Sequence, residues 1–283
     1  MAIFTNQASL SYRGTVINSN VVTGEIREAL GITKTALTDT YSPDGTVTYV
    51  INLINSGSTV LQNLTLTDDL GAYDFGGNTL VPLTFVEDAA AYFVNGVYQG
   101  APNVTGQSPL VISELLLPAG ANAAIVYQAN VNQFAPLECG SEIVNTATVS
   151  GYGITPVSVT ATVTANCAPD LDITKALSPV VVDANGEITY TFTIRNYGNT
   201  AAVATDDVTL TDTFEPTLNI NSVIFNGAAW SEGAQYNYNE ATGLFTTEPG
   251  TITVPAATYV QDPVTGVWSV VPGESVLTVI GTI

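Results

Sequence analysis

Histidine is absent from this 283-residue chain, and lysine occurs only twice, at Lys34 and Lys175. Without histidine there is no Ser-His-Asp or Cys-His hydrolase, and the commonest zinc ligand is missing. Basic residues number 5 against 25 acidic ones, a formal net charge of −20. Such a field repels nucleic-acid backbones and anionic membranes, so neither is expected as a partner. Charged residues make up only 11% of the chain, a little under half the roughly 25% of ordinary soluble domains. The apolar runs are broken by Thr, Asn and Gly, and none is long enough to span a bilayer. Met1 to Leu10 carries neither a basic cluster nor an apolar core of signal-peptide length, which argues against export by that route. No phosphate loop, metal-ligand cluster or nucleophile elbow appears, so neither a cofactor nor turnover chemistry is expected.

What remains is strand material. Hydrophobic residues are 46% of the chain, enough for packed cores, and Thr, Val, Asn and Gly are the residues of strands and tight turns. Thr46 to Asn55 alternates strictly, with Val47, Tyr49, Ile51 and Leu53 on one face. An offset of 141 residues, the spacing of the two lysines, brings up Glu187 to Asn196 with Ile188, Tyr190, Phe192 and Ile194. Period-two alternation predicts half-buried antiparallel strands. Each copy is preceded by Ile-Thr-Lys (Ile32 to Lys34, Ile173 to Lys175) and followed by an Asn-x-Gly turn (Asn55 to Gly57, Asn196 to Gly198). Each then reaches Thr-Leu-Thr-Asp, at Thr65 to Asp68 and Thr209 to Asp212. Self-similarity of this kind marks tandem domains.

The two copies are out of phase with the chain. Copy one runs on through a strand to Asn130, then Ile143 to Val149, then a final strand at Val157 to Val163. Copy two reaches the strand Ser275 to Ile283, with Ile283 matched to Asn130. Counterparts of the two closing strands are found at the other end. Phe4-Thr-Asn-Gln-Ala-Ser-Leu10 matches Ile143-Val-Asn-Thr-Ala-Thr-Val149, and Ile17 to Ile26 matches the final strand. The expected organisation is a donor hairpin at 1–28, a complete β-sandwich at 29–167, and an incomplete one at 168–283. A gap in a sheet leaves backbone groups unpaired. Donation of the hairpin from another molecule would fill it, head to tail and without closure. The alternative is a monomer whose own hairpin folds back into the second sandwich.

Parity within the strands points three polar residues inward in each copy. Lys34 shares a face with Ile32, Asp68 with Leu64 and Leu66, and Asn145 with Ile143, Ala147 and Val149. Lys175, Asp212 and Asn6 hold the same places in the second set. An isolated buried lysine is strongly disfavoured. One account is a buried Lys–Asp ion pair with Asn as hydrogen-bond partner. The other is a spontaneous Lys–Asn isopeptide bond. In it burial lowers the lysine pKa and yields a neutral nucleophile, while a protonated Asp polarises the Asn carbonyl. Lys34–Asn145 would then close within the chain with Asp68 as promoting acid. Lys175 and Asp212 would act on the Asn6 of a neighbour.

The segments Tyr49 to Gly57, Tyr190 to Gly198, the two Thr-Leu-Thr-Asp runs and Asn145-Thr-Ala-Thr-Val149 resemble the bacterial surface repeat family known as domain of unknown function eleven. The resemblance covers nearly the whole chain in two copies and implies immunoglobulin-like antiparallel β-sandwiches of the kind found in cell-wall and fibre proteins. The phase-shifted form is similar to the ribbon-like spore-appendage proteins of clostridia. With head-to-tail donation, the expected product is a homopolymeric extracellular fibre. Without a signal peptide, assembly inside a mother cell followed by lysis is expected rather than secretion. Lys–Asp–Asn triads that form isopeptides occur in related pilin and adhesin sandwiches. A cell-surface adhesin or surface-layer binding module is the alternative function.

Cys139 and Cys167 lie at equal distances from Gly153, the expected turn of the closing hairpin, which permits a disulfide across it. A bond between laterally associated fibres and two reduced thiols are the other options. Asp68-Asp69, Asp206-Asp207 and the Asp183 to Glu187 turn could hold calcium, but none has full ligand-loop spacing. Trp230, Tyr236, Tyr238 and Trp268 are either a sugar platform or scattered packing aromatics.

Overall fold

A computed structural model describes residues 2–26, 29–151 and 154–283. Among them strands dominate, no α-helix occurs, and one 3-10 turn spans Ala204–Asp206. The architecture is all-β, with two tandem antiparallel β-sandwiches, as the alternation predicts. Unit 1 comprises Met1–Ala135 and Glu142–Val163, and unit 2 comprises Pro136–Ser141 and Thr164–Ile283. The expected first sandwich, 29–167, includes segment 136–141 and residues 164–167, which this division assigns to unit 2.

In unit 1 the central strand Thr46–Asn55 lies between the lysine strand Leu30–Ala36 and the tyrosine strand Asn122–Val131. Leu83–Val94 and Val97–Gly100 complete that five-stranded sheet. The second sheet has six strands. In it the aspartate strand Leu61–Asp68 is paired on one side by Leu110–Leu117 and on the other by the asparagine strand Glu142–Ser150. Val157–Ala165 follows, then Thr40–Tyr41. The strand alternation translates into burial without exception on the central strand, where Val47, Tyr49, Ile51 and Leu53 are buried. Leu64, Leu66, Ile112, Ile125 and Tyr127 meet them as fully buried residues. Each such side chain contributes about 1.5–3 kcal/mol by leaving water.

The Asn-x-Gly signature is a fastening device. Asn55 is buried and its Nδ2 donates to the carbonyls of Thr59, Leu117 and Pro118, while its Oδ1 accepts from the Gly57 N–H. Asn196 repeats the pattern on Thr200, Pro255 and Gly198. Buried amides are retained only where their hydrogen bonds are met, as here.

Unit 2 has the matching five-stranded sheet, in the order Leu171–Ser178, Glu187–Asn196, Gly273–Thr282, Asn219–Phe225, Ala228–Trp230. Its second sheet is reduced to three strands, Thr211–Thr213, Leu244–Thr247 and Tyr236–Asn239. The aspartate strand shrinks from eight residues to three, although Thr209 to Asp212 repeats Thr65 to Asp68. Strand pairing on both sides holds the first copy extended; the second is paired only by Leu244–Thr247, and its other edge has no strand beside it among the described residues. Pairing also corrects the alignment by one residue: Thr46 faces Asn130 and Glu187 faces Thr282, so Thr282, not Ile283, is the counterpart of Asn130.

Residues 2–26 form a hairpin of their own. Ala2–Asn6 pairs with Val22–Ile26, and Ser9–Tyr12 with Thr15–Asn18. Arg13 and Gly14 both take positive φ, 52° and 81°, in the two-residue loop. That is the type I′ geometry whose twist suits a hairpin. No other strand pairs with the hairpin among the described residues, and Ile3 to Thr23 is exposed throughout. Arg27 and Glu28, at the end of the expected donor hairpin, lie outside the described residues, as does Gly153.

Cys139 and Cys167 are joined as a disulfide with a Cα–Cα distance of 5.0 Å. Both belong to unit 2, where the Ala165 N–H also donates to the Ser141 carbonyl. The bond pins the segment 136–141 to the start of that unit.

Candidate functional site

The structure places Lys34, Asp68 and Asn145 together in the core of unit 1. Lys34 comes from the edge of one sheet; Asp68 and Asn145 come from adjacent strands of the other. Lys34 Nζ donates to Asp68 Oδ2 at 2.8 Å, and neither side chain has any exposed surface. Nζ also lies 4.8 Å from the ring centre of Tyr49, which stabilises a cation there. Burial pushes the Lys34 pKa below its usual value, and the Asp68 charge only partly opposes this. A lysine held this way reaches the neutral, nucleophilic form more readily than an exposed one.

Asn145 is fully buried, but its hydrogen bond differs from the one expected. Its Nδ2 donates to Tyr127 Oη at 3.0 Å, and Tyr127 Oη donates to Asp68 Oδ2 at 2.6 Å. Tyr127 is thus a member of the site that sequence reasoning missed. Its signal was inward parity with Ala123, Ile125 and Ala129 on one strand, together with the rule that a buried phenol needs a polar partner. The repeat comparison hides it, because Tyr127 faces Tyr49 across the sheet whereas the equivalent Tyr190 faces Val279. Burial and the adjacent Asp68 charge push the Tyr127 pKa well up, so the phenol keeps its proton.

Asn145 Oδ1 is buried without a hydrogen-bond partner in this core, and Tyr49 Oη has only the Asn145 side chain near it, without a well-formed hydrogen bond. An orphaned buried group costs about 1–3 kcal/mol. An ion pair with a satisfied Asn beside it is therefore an incomplete description. The Asn carbonyl is desolvated and unbonded in the same buried hydrogen-bonded set as an amine whose charge burial disfavours. Asp69, by contrast, is structural: its Oδ1 accepts from the N–H groups of Gly71 and Thr146 and ties the two strands together.

In unit 2 the same strands bring only two of the three residues together. Lys175 pairs with Asp212, but their side chains are 40% and 19% exposed. Lys175 Nζ lies over the rings of Tyr190 (4.5 Å), Phe192 and Phe214 (both 5.4 Å). The rings reproduce the lysine seat, while no asparagine strand roofs it among the described residues. Leu171, Ile173 and Leu177 are 38%, 50% and 39% exposed as a result. A groove runs between the lysine strand and the aspartate segment, lined by Leu171, Ile173, Ile194, Val208, Leu210 and Ile252. Asn6 lies on the exposed hairpin, flanked by Phe4 (52% exposed) and Leu10 (65%).

The remaining candidates separate. Asp206 accepts from the Val203 N–H at the 3-10 turn. Trp230 packs on Phe225, Tyr236 on Phe245, and Tyr238 Oη accepts from the Leu218 N–H. Tyr236 and Tyr238 belong to one packed ring cluster with Phe245 and Phe214.

No family model matches the chain, and no curated protein matches it. Among solved structures it is similar to the collagen-binding domain of a Staphylococcus aureus adhesin, at 15% identity and TM-score 0.32, over 50% of this chain and 99% of that one. It is similar to BcpA, the major pilin subunit of Bacillus cereus, at 11% identity and TM-score 0.36, over 98% of this chain and 74% of that one. It is also similar to the pilus backbone RrgB of Streptococcus pneumoniae, at 13% identity and TM-score 0.35, over 86% of this chain and 55% of that one.

Proposed function

We propose that the chain is the structural subunit of an extracellular fibre, of the spore-appendage kind, that polymerises head to tail by strand donation and locks itself with Lys–Asn isopeptide bonds. The observation that carries the reading is a pair of unequal sites in one molecule. Unit 1 holds a roofed Lys34–Asp68–Asn145 set. Unit 2 holds an unroofed Lys175–Asp212 pair, and an exposed hairpin carries Asn6 in the sequence setting of Asn145. Unit 1 supplies the register for docking. Ala147 faces Asp68 and Val149 faces Leu66, so a docked Ala8 faces Asp212 and Leu10 faces Leu210. Phe4, Ala8 and Leu10 would take the places of Ile143, Ala147 and Val149, all buried in unit 1. Each large side chain so buried contributes about 1.5–3 kcal/mol. Donor and acceptor are different surfaces, so the contact propagates without closing.

The covalent step needs no external reagent. Asp68 takes a proton from the Lys34 ammonium, and the freed Nζ lone pair attacks Asn145 Cγ. The new N–C bond forms, and the proton collected by Asp68 is passed on to Nδ2. The Cγ–Nδ2 bond breaks and ammonia leaves, and Nζ gives its second proton to Asp68, which ends protonated. Lys175, Asp212 and the Asn6 of a second copy react in the same way. A neutral amide thereby replaces a buried charge pair whose desolvation is costly.

The test mixes isotopically light and heavy chains, boils the product in detergent and reductant, and sequences cross-linked peptides. A ladder containing Lys175–Asn6 peptides with one light and one heavy half is expected. Clean release of monomers, or cross-links with both halves always from the same chain, would overturn the reading.

A further inference from the structure

Resting on the isopeptide reading, we infer that Tyr127 is the proton relay of the internal joint, and that Val279 in its place makes the intermolecular joint the slower of the two. The hydrogen bonds of unit 1 form one continuous chain. Lys34 Nζ donates to Asp68 Oδ2 at 2.8 Å, Tyr127 Oη donates to the same oxygen at 2.6 Å, and Asn145 Nδ2 donates to Tyr127 Oη at 3.0 Å. The phenol therefore bridges the acid that collects the amine proton and the nitrogen that must leave. All four residues are buried, with Lys34 the most exposed at 5%, so water has little access to carry the proton instead.

The steps balance along this chain. Asp68 first takes one proton from the Lys34 ammonium. Nζ then bonds to Asn145 Cγ, which converts Nδ2 into an amine with a free lone pair. Tyr127 turns its O–H to that nitrogen and recovers a proton from Asp68. The Cγ–Nδ2 bond breaks, ammonia departs, and Asp68 takes the second proton from Nζ. The products are a secondary amide, ammonia and a protonated Asp68. The phenol ends as it began.

Unit 2 lacks the bridge. Tyr49 and Tyr190 are equivalent at the offset of 141; the first faces Tyr127 and the second faces Val279, a fully buried residue with no hydroxyl. Asp212 is bonded there by Lys175 and by the Thr213 N–H. An incoming Asn6 therefore finds an acid and an amine but no phenol opposite Tyr190 to bridge the acid and its leaving nitrogen. A slow second joint gives a docked hairpin time to leave a wrong register before it is locked.

The experiment uses the full chain and follows each joint separately by the mass lost as ammonia and by the cross-linked peptides. Tyr127→Phe keeps the ring and is expected to slow Lys34–Asn145 formation roughly 100-fold or more, the usual worth of a positioned proton donor. Growth of the Lys175–Asn6 ladder should not change. Val279→Tyr is expected to speed that ladder without touching the internal joint, a gain that a merely structural role for Tyr127 does not produce. Tyr127→Phe closing at the wild-type rate would overturn the relay while leaving the isopeptide standing. Absence of the Lys34–Asn145 bond from the wild-type chain would remove both. If Val279→Tyr fails to fold, the Tyr127→Phe rate decides alone.

Discussion

Lys34 and Lys175 hold the same place in two copies of one fold, and their surroundings could hardly differ more. Lys34 is enclosed by strands of both sheets and has an aspartate, a phenol and an asparagine within one hydrogen-bonded chain. Lys175 rests on three aromatic rings with its aspartate beside it, and 40% of its side chain is open to solvent. The local sequence around the lysine and the aspartate is nearly the same in both. What differs is whether an asparagine strand lies along the aspartate strand. One missing neighbour turns a buried reactive set into an exposed half-site, and it leaves a fully exposed hairpin of matching pattern elsewhere in the chain.

Deleting residues 1–26 is the most severe way to break the comparison. It should abolish fibres altogether while leaving folded subunits that still lose one ammonia at Lys34–Asn145. Electron microscopy and intact mass check this; fibres from the deleted chain would show that the hairpin is not the donor.

Lys34→Met and Lys175→Met should then separate in stability. The first removes the internal joint and, in the chain that has not yet reacted, leaves Asp68 buried without its counter-charge, so it should destabilise unit 1 by roughly 3–5 kcal/mol. The second removes a half-exposed pair and should cost unit 2 less than about 1 kcal/mol. Calorimetry reads both transitions, and fluorescence assigns unit 2, which holds both tryptophans.

Cys139→Ser should lower the unfolding free energy of unit 2 by about 2–4 kcal/mol, the typical worth of such a bond. Reductant should have the same effect on the wild-type chain and none on the variant.

Leu10→Ser and Val149→Ser give the smallest and most selective contrast. Leu10 is 65% exposed in the subunit, so its replacement should alter subunit stability by no more than about 0.5 kcal/mol. Val149 is fully buried, and its replacement should cost several times as much. Leu10→Ser should nevertheless slow fibre growth, measured by light scattering, because the docked hairpin loses an apolar anchor.

Strand alternation was enough to place Lys34, Asp68 and Asn145 on inward faces. Side-chain direction in a strand has a period of two, and a single misassigned residue would have turned all of them outward. Tyr127 escaped because its second copy is Val279, so the repeat that exposed the lysines concealed the phenol. The shortening of the aspartate strand to Thr211–Thr213 was illegible for a different reason. Thr209 to Asp212 has the same pattern as Thr65 to Asp68, but a strand persists only where hydrogen-bonding neighbours hold it. The one-residue error at Ile283 arose from matching sequence alone; cross-strand pairing puts Thr282 opposite Glu187.

The sequence by itself determined the all-β class, the twofold repeat, the inward parity of the polar residues and the correspondence of Phe4–Leu10 with Ile143–Val149. These follow from local periodicity, which backbone geometry imposes on any strand. Only the tertiary structure decided that Asn145 bonds to Tyr127 rather than to the ion pair, that its carbonyl is left unpartnered, and that Lys175 stands open where Lys34 is enclosed. Those outcomes depend on which strands lie side by side, and neighbours in a sheet are chosen by contacts between residues far apart in the chain.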